Sequence, residues 1–263
     1  MATAAISRPA ARPWVRNLSW LAFLLCIGAV AAAAVGAIGS GQGAWPFRTG
    51  FTVLRYAFYA AAGGAVLALI MLIASRRTAK FLLINLVALI VAVGFLLYLG
   101  SMVRTARSVP ALHDITTNLD DVPQFTRLQV RADNLENIPD MDRPELAAMQ
   151  PEQRWKAIHR EAYGDIRPVI VARSPGAVIE RAESLARARG WEIAHVDRER
   201  GILEATATSR FFRFKDDVVI RARPGPSPVA SVVDMRSISR VGGSDVGVNA
   251  ARIREFLGAL TRE

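Results

Sequence analysis

The sequence predicts an α+β protein in which three transmembrane helices precede a two-layer domain of antiparallel β-sheet and α-helices. Residues 1–103 contain eight Lys or Arg and no Asp or Glu, whereas residues 104–263 contain the other 25 basic residues and all 23 acidic ones. The first region holds three long apolar stretches without charge, and the second holds short alternating segments separated by turn residues. Most of the net charge of +10 therefore belongs to the flanks of apolar helices and does not indicate a nucleic-acid-binding protein.

The three apolar stretches are each long enough to cross a bilayer. They occupy residues 17–47, 56–75 and 81–103, and about 20 apolar residues cross the hydrocarbon core as a helix. The first stretch also has the basic start and Ala-rich end of a secretory signal peptide. Because its uncharged run is longer than a usual signal core, we expect it to remain as a helix.

Basic residues beside the stretches predict the orientation. The N-terminal tail carries Arg8, Arg12 and Arg16, and the short loop between the second and third stretches is also basic. Since cytoplasmic loops carry an excess of Lys and Arg, the tail and this loop are expected in the cytoplasm. The prediction is a multi-pass protein of the bacterial inner membrane with a periplasmic C-terminal domain. Its expected parts are a cytoplasmic tail at residues 1–17, a membrane region of three helices at 18–103, an irregular segment at 104–167 and an α+β domain at 168–263.

Small and polar residues inside the stretches predict how the helices pack. Small residues recur at helical spacing at Gly28, Ala32, Gly36, Ala60 and Gly64, and such faces let helices approach closely. Asn85 is strongly polar and is expected to hydrogen-bond to a neighbouring helix. The stretches contain no acid or His, which argues against an ion-coupled transporter because ion pathways use such residues. Cys26 is the single cysteine and excludes an internal disulfide.

The C-terminal half predicts one antiparallel sheet with two covering helices. Frequent prolines predict an irregular segment at 104–167 with a short helix at 152–162, after Pro151. Beyond it, alternating patterns predict strands at 169–172, 191–196, 202–208, 215–223 and 229–240, and helices at 175–189 and 246–260. The order β-α-β-β-β-β-α, with turns between neighbouring strands, places both helices on one face of the sheet.

The last predicted hairpin carries a group of charged candidate residues, which are Asp216, Asp217, Asp234, Arg236 and Arg240. With Arg223 opposite Val229, Asp216 falls opposite Arg236, and both charges lie on one face of the sheet. We interpret the group as a structural ion-pair network. The alternative is an anion or carboxylate site that uses the forked donors of arginine. Acid–base catalysis is less favoured, because neighbouring arginines stabilise the charged form of a carboxylate.

The candidate ligand-binding set is completed by Ser237, Ser239, Asp245 and Asn249. The glycine-containing loop 240–245 leads into a helix, where free backbone N–H groups can bind an anion. We expect Ser244 or Asp245 to cap these groups instead, since the loop lacks the Gly-Lys-Ser/Thr signature of a phosphate loop. Ser237 and Ser239 are possible nucleophiles, but no Gly-x-Ser-x-Gly elbow surrounds them.

A third group near residue 113 contains potential cation ligands, which are His113, Asp114, Asp120 and Asp121. Carboxylates bind divalent cations, but this spacing matches no known ligand loop. We expect these acids to cap turns and face water. His159 and His195 are isolated in the sequence and are interpreted as surface or hydrogen-bonded sheet residues. The sequence thus predicts no catalytic residue, metal site or cofactor.

Several spaced motifs resemble the bacterial domain-of-unknown-function family 1499. They are Phe214-Lys215-Asp216-Asp217-Val218-Val219-Ile220-Arg221, Val233-Asp234-Met235-Arg236-Ser237-Ile238-Ser239-Arg240-Val241-Gly242, Ser244-Asp245-Val246-Gly247-Val248-Asn249 with Arg252-Ile253, and His113-Asp114-Ile115-Thr116-Thr117 with Pro123 and Phe125. The likeness covers about residues 112–262 and departs from the family at Asn118, where an acid is expected. Three preceding apolar stretches resemble a membrane-anchored form of this family. The resemblance implies the architecture and no established activity.

Two functions are compatible with these features. The first is a non-enzymatic binding or interaction module, held in the lipid bilayer and presented to the cell envelope. Its partner would be an envelope protein or a small anionic ligand, and not nucleic acid. The alternative is a membrane-tethered, hydrolase-like enzyme in which Asp216, Asp217 or Asp245 acts with the arginines on an anionic substrate. A concave pocket at the Arg236 and Asp245 end of the sheet would favour the enzyme.

Overall fold

The computed structural model describes residues 12–136, 138–227 and 229–262. The chain divides into two compact units, the first ending at Arg104 and including Arg210–Arg213, the second formed by Thr105–Ser209 and the residues from Phe214 onward. Arg8 of the predicted cytoplasmic tail and Pro228 of the last predicted turn lie outside the described residues.

The first unit contains three long apolar helices, as predicted. They are α1 (Pro13–Gly41), α2 (Phe47–Ala74) and α3 (Ala79–Ser108), each of 28 to 30 residues and long and apolar enough to span a bilayer. Buried alanines pack α1 against α2, which confirms that small residues mediate the contact. The predicted face on α1 is wrong in part, because Gly28 and Ala32 are exposed whereas Ala29 and Ala33 are buried. On α2, a Cβ atom at Gly64 would lie only 2.8 Å from Cys26 Sγ, so glycine permits this close approach.

One amide connects all three helices of this unit. Asn85 on α3 donates from Nδ2 to Ser19 Oγ on α1 at 2.9 Å and to Ser75 Oγ at the end of α2 at 3.3 Å. The three residues are almost completely buried. The hydrogen bond predicted for Asn85 is therefore present.

The second unit is an α+β domain with a six-stranded antiparallel sheet. Its elements are β1 (Asp114–Thr116), α4 (Pro144–Ala147), α5 (Pro151–Tyr163), β2 (Val169–Val171), α6 (Pro175–Ala188), β3 (Glu192–Asp197), β4 (Ile202–Thr208), β5 (Lys215–Pro224), β6 (Ser231–Ser239) and α7 (Val248–Thr261). From β2 onward this order is the predicted β-α-β-β-β-β-α. The strands follow the spatial order β1-β6-β5-β4-β3, and β2 also pairs with β6. The short strand β1 was not predicted, because its three residues carry no alternating pattern.

The predicted register of the last hairpin is wrong by three residues. Asp216 lies opposite Ser239, not Arg236, and Arg223 lies opposite Val232, not Val229. The strand β5 continues to Pro224, one residue beyond its predicted end, and the backbone N–H of Gly225 donates to the carbonyl of Ala230 at 2.8 Å. The connection between β5 and β6 therefore begins later than expected. Since side chains alternate between faces, an odd shift moves Arg236 to the face opposite Asp216.

The sheet therefore has two buried faces of different character. On the first, Val218, Ile220 and Met235 pack with α6 and α7 in the main apolar core. On the second, Glu204, Asp234 and Arg236 contact residues of the segment 117–134, which has no helix or strand. We call these the apolar face and the charged face.

Candidate functional site

The eight candidate residues form two separate groups, one on each face of the sheet. Asp216, Ser237 and Ser239 lie on the apolar face at the end of the sheet, together with Asp245 and Asn249 from the start of α7. Asp217, Arg236 and Arg240 lie on the charged face. The single charged cluster expected from the sequence is thus divided by the sheet.

The group on the apolar face is linked by Asn249 and by Arg252, which the candidate set lacked. Arg252 donates to Asp216 Oδ2 at 2.6 Å and to Ser237 Oγ at 2.8 Å, and it also contacts Asn249 Oδ1. Asn249 Nδ2 donates to Ser239 Oγ at 3.0 Å and to the carbonyl of His113 at 3.0 Å. Ser237 donates to Asn249 Oδ1 at 2.7 Å, so its hydroxyl is engaged with the amide and the guanidinium.

Asp245 caps the start of α7, as predicted. Its carboxylate accepts the backbone N–H of Gly247 at 2.8 Å and that of Asn249 at 2.7 Å. Burial raises the pKa of this carboxyl, and the two backbone donors oppose that rise. The carboxylate occupies the position in which an anion would bind the helix terminus.

Arg236 and Asp114 form the central ion pair of the charged face. Arg236 binds Asp114 with two parallel hydrogen bonds, Nε to Oδ1 at 2.9 Å and Nη2 to Oδ2 at 2.6 Å. Its third nitrogen donates to the carbonyl of Pro123 at 3.2 Å, and its guanidinium lies over the ring of Phe125. Asn134 donates to the same carboxylate at 2.7 Å. Asp114 is completely buried, so this geometry satisfies a charge that water cannot reach.

Asp217 and Asp234 are each bound by arginine on the same face. Arg240 binds Asp217 through two contacts of 2.8 Å, and Thr206 donates to that carboxylate at 2.7 Å. Arg221 and Arg223 both donate to Asp234 Oδ2 at 2.8 Å. These arginines thus engage both oxygens of Asp217 and Oδ2 of Asp234 in charge-assisted hydrogen bonds.

Glu204 binds the irregular segment directly, a role that the sequence analysis missed. Its carboxylate accepts the backbone N–H groups of Thr126 at 2.5 Å, Arg127 at 3.0 Å and Leu128 at 2.8 Å. Burial opposes ionisation of Glu204, but these donors outweigh it, and the pKa lies below its usual range. In the sequence, a glutamate that alternates with apolar residues in a strand indicates a position facing solvent. The buried role of Glu204 could have been identified only by knowing that the irregular segment covers this face.

Helix α5 covers the outer edge of β1 with two side chains one turn apart. Trp155 Nε1 donates to the carbonyl of Asp114 at 2.8 Å, and His159 Nε2 accepts the N–H of Thr116 at 3.1 Å. His159 is buried rather than isolated at the surface, and burial lowers its pKa to about 4. Its Nδ1 and the Tyr163 hydroxyl are buried without a hydrogen-bond partner in the part of the chain that the structure describes.

The four potential cation ligands near residue 113 are directed toward different partners. His113 contacts Asn134, and Asp114 binds Arg236. Asp120 and Asp121 pair with Arg160 and Arg221, while their backbone N–H groups donate to Asn118 Oδ1. Among the described residues, no group of three or more His, Cys, Asp or Glu side chains is arranged to hold a metal ion.

Two shallow clefts of the second unit lie away from the candidate residues. One is lined by residues from the loop before β2 and from α7, including Asp165 and Arg254. The other is lined by residues 107–110, Met141 and α5. Neither cleft contains a member of either candidate group, so the concave pocket that would favour an enzyme is not found at these two places.

The comparison with protein families agrees with this architecture. The chain matches the family described as protein of unknown function (DUF1499) over residues 114–260, which is more than half of its 263 residues. This range begins at the first residue of β1 and ends within α7. It includes the irregular segment, both candidate groups and the whole sheet. No curated protein matches the sequence. The chain is therefore a member of the DUF1499 family that carries, before the family domain, three apolar helices long enough to span a membrane.

Proposed function

We propose that this protein is a membrane-anchored, non-enzymatic module whose α+β domain binds a partner on the periplasmic side of a bacterial inner membrane. The observation that carries the proposal is the pairing of the charged candidate residues with oppositely charged side chains or with backbone groups. Asp216, Asp217 and Arg236 each have a charged partner within 2.6 to 2.8 Å. Such groups hold the fold together and do not present reactive atoms to a substrate.

The orientation is supported by the charges beside the helices. The turn between α2 and α3 carries Arg76, Arg77 and Lys80, whereas the connection between α1 and α2 carries none before Arg48. Loops rich in Lys and Arg remain in the cytoplasm. The turn after α2 and the domain after α3 are separated by one crossing, so they face opposite sides.

Cysteine accessibility tests this orientation. After Cys26→Ala removes the single thiol, Glu199→Cys places a probe in the turn between β3 and β4, and Thr78→Cys places a matched probe between α2 and α3. We expect a membrane-impermeant maleimide to label the first variant in intact spheroplasts and the second only after lysis. The reverse labelling pattern would contradict the proposal.

Photo-crosslinking of the full chain in intact membranes tests the role as a binding module. We expect a photoreactive residue on the exposed surface of the domain to yield defined crosslinks to an envelope component. Conversely, a purified full chain that hydrolyses an anionic envelope substrate, and loses that activity on Asp217→Asn without loss of stability, would support the tethered hydrolase instead.

A further inference from the structure

Strand β2 forms an open part of the sheet edge. One side of β2 pairs with β6, where Val169 lies opposite Val233. The odd-numbered residues of β6 direct their backbone groups toward this side, because the carbonyl of Met235 accepts the N–H of Thr117 at 2.9 Å. Since the direction of backbone groups alternates along a strand, Val169 bonds to Val233, and the next residue, Ile170, directs its N–H and C=O outward, away from β6.

The other two edge strands are closed to pairing in different ways. Trp155 and His159 of α5 bond to the outward backbone groups of β1. At the opposite edge of the sheet, β3 has an irregular register between Ile193 and His195, and a bulge of this kind discourages the addition of a further strand. The outward N–H and C=O of Ile170 have no hydrogen-bond partner within the described part of the chain. Strand β2 is therefore open where β1 is covered and β3 is bent.

A cleft between β2 and α7 lies beside this open edge. It has a volume of about 220 Å³, and its apolar lining includes Val169, Ile253 and Leu257. Val169 packs against the main core on the apolar face, so the cleft opens on that face. The side chain of Ile170 points to the other face and is 61% exposed. The side chains of an added strand would therefore alternate between the cleft and the surface of Ile170.

Two arginines flank β2, one beyond each end. Arg167 and Arg173 are both exposed, and in the described chain neither lies within ion-pair distance of a carboxylate. The acid closest to Arg167 in the sequence, Asp165, is bound by Arg254 through two contacts of 2.6 and 2.8 Å. Residues 166–174 contain no acid of their own. The open edge therefore complements an extended segment that carries an acidic side chain toward each end.

We propose that β2 and the adjoining cleft form a docking site for an extended, acidic segment of another protein, which adds to the sheet as a further antiparallel strand. The backbone of the segment exchanges two hydrogen bonds with Ile170, and its neighbouring apolar side chains enter the cleft. Its acidic side chains pair with Arg167 and Arg173. The site rests on the proposed function, because it gives the binding module a contact surface and a partner of defined chemistry.

Peptide titration of the full chain in phosphatidylcholine nanodiscs tests this proposal. The probe is the fluorescent heptapeptide Glu-Thr-Leu-Val-Leu-Thr-Glu, designed so that its central Val lies opposite Ile170 and both Leu side chains face the cleft. One control peptide carries Lys in place of both Glu, and the other has an N-methylated central Val that cannot donate to the carbonyl of Ile170. We expect the Lys peptide to bind about tenfold more weakly than the probe and the N-methylated peptide about fivefold more weakly.

Variants of the chain test the same contacts from the other side. Ile170→Pro removes the outward N–H without removing a hydrogen bond to β6, and proline is tolerated at such an edge position. It should weaken binding of the probe about fivefold and leave the thermal unfolding of the chain unchanged. Arg167→Gln combined with Arg173→Gln should also weaken binding severalfold. Arg198→Gln combined with Arg200→Gln removes the same charge from the turn between β3 and β4 and should leave the affinity unchanged.

Two results would overturn the proposal. One is equal affinity for the three peptides, or no binding of the probe at about 1 mM. The other is a concentration-dependent dimer of the full chain that Ile170→Pro abolishes, which would assign this edge to a second copy. The photo-crosslinking experiment separates this proposal from the proposed function. Defined crosslinks elsewhere on the domain would leave the binding module standing without this site, whereas no crosslinks at any surface position would contradict both.

Discussion

The two faces of the sheet bury side chains of opposite character to the same extent. Val218, Ile220 and Met235 are fully buried on the apolar face, and Asp234 and Glu204 are fully buried on the charged face. The difference lies in what covers them. Helices satisfy their own backbone hydrogen bonds and need only apolar side chains beneath them. An irregular segment leaves its backbone groups unpaired, and these require polar partners when they are buried.

Charged side chains supply those partners. Glu204 accepts three successive N–H groups of the segment, and Arg236 donates to the carbonyl of Pro123. Arg154 on α5 likewise donates to the carbonyls of Ile138 and Leu146. The charged face thus fixes the path of a segment that has no regular structure of its own.

Removal of Arg236 is expected to have the largest effect. Arg236→Ala leaves the carboxylate of Asp114 buried without its bidentate partner, which costs about 3–5 kcal/mol for a buried pair. Urea unfolding of the full chain in nanodiscs measures this loss. Arg160→Ala is the matched control, because its pair with Asp120 is exposed and is worth less than about 1 kcal/mol. Unchanged stability together with lost function in cells would identify Arg236 as part of a binding site instead.

A substitution that creates a cavity on the apolar face is expected to lower the free energy of unfolding by a similar amount. Its local effect should be different. Phe256 is fully buried and stacks on Trp191 at 5.0 Å between ring centroids. Phe256→Ala should cost about 3–5 kcal/mol. Under native conditions, hydrogen exchange in residues 123–128 should increase in Arg236→Ala and much less in Phe256→Ala. Equal increases in both variants would show that the two faces do not hold separate elements.

Neutralising Glu204 is expected to loosen the segment 117–134 and to lower the free energy of unfolding less than the two preceding substitutions do. Glu204→Gln replaces a charged acceptor of three N–H groups with an amide, and hydrogen bonds to charged groups contribute about 1.5–3 kcal/mol. The lowered pKa of Glu204 means that its contribution is present at neutral pH and is lost as the pH falls through that pKa. The stability difference between the wild type and Glu204→Gln should therefore narrow below about pH 4. A difference that stays constant down to pH 3 would exclude this role.

His159 is expected to give a graded dependence of stability on pH. Its pKa of about 4 in the folded domain lies below the value of about 6.5 expected when unfolded. The unfolded chain therefore binds more protons below pH 6.5, and stability falls by at most about 1.4 kcal/mol per pH unit down to pH 4. His159→Gln should remove this component, whereas His195→Gln, in a partly exposed strand position, should retain it. The measurement is urea unfolding at pH 7, 6 and 5.

Most of the apolar architecture was predictable from the sequence. The three long helices follow uncharged apolar runs, and α6, α7 and strands β2 to β6 follow local patterns of apolar residues. Both signals depend only on local residue order. The register of the last hairpin was not predictable in this way, because it depends on where Gly225 begins the turn. The pairing of Arg236 with Asp114 joins residues 122 positions apart, and no local pattern indicates such a contact.

The role of the candidate residues was only partly predictable. Their interpretation as an ion-pair network agrees with the contacts, and the capping role of Asp245 is confirmed. Three partners were missed for the same reason. Asp114, Glu204 and Arg252 bind groups that are distant in sequence, and their own neighbours in the chain give no sign of burial.

A double-mutant cycle on Asp114 and Arg236 tests the central claim most directly. The claim is that the charged face is a structural network in which these side chains satisfy each other. Urea unfolding of Asp114→Ala, Arg236→Ala and the double variant, all as full chains in nanodiscs, gives the coupling energy. We predict that the double variant is more stable than the sum of the single losses by about 2–3 kcal/mol. Additive losses, within about 0.5 kcal/mol, would contradict the claim.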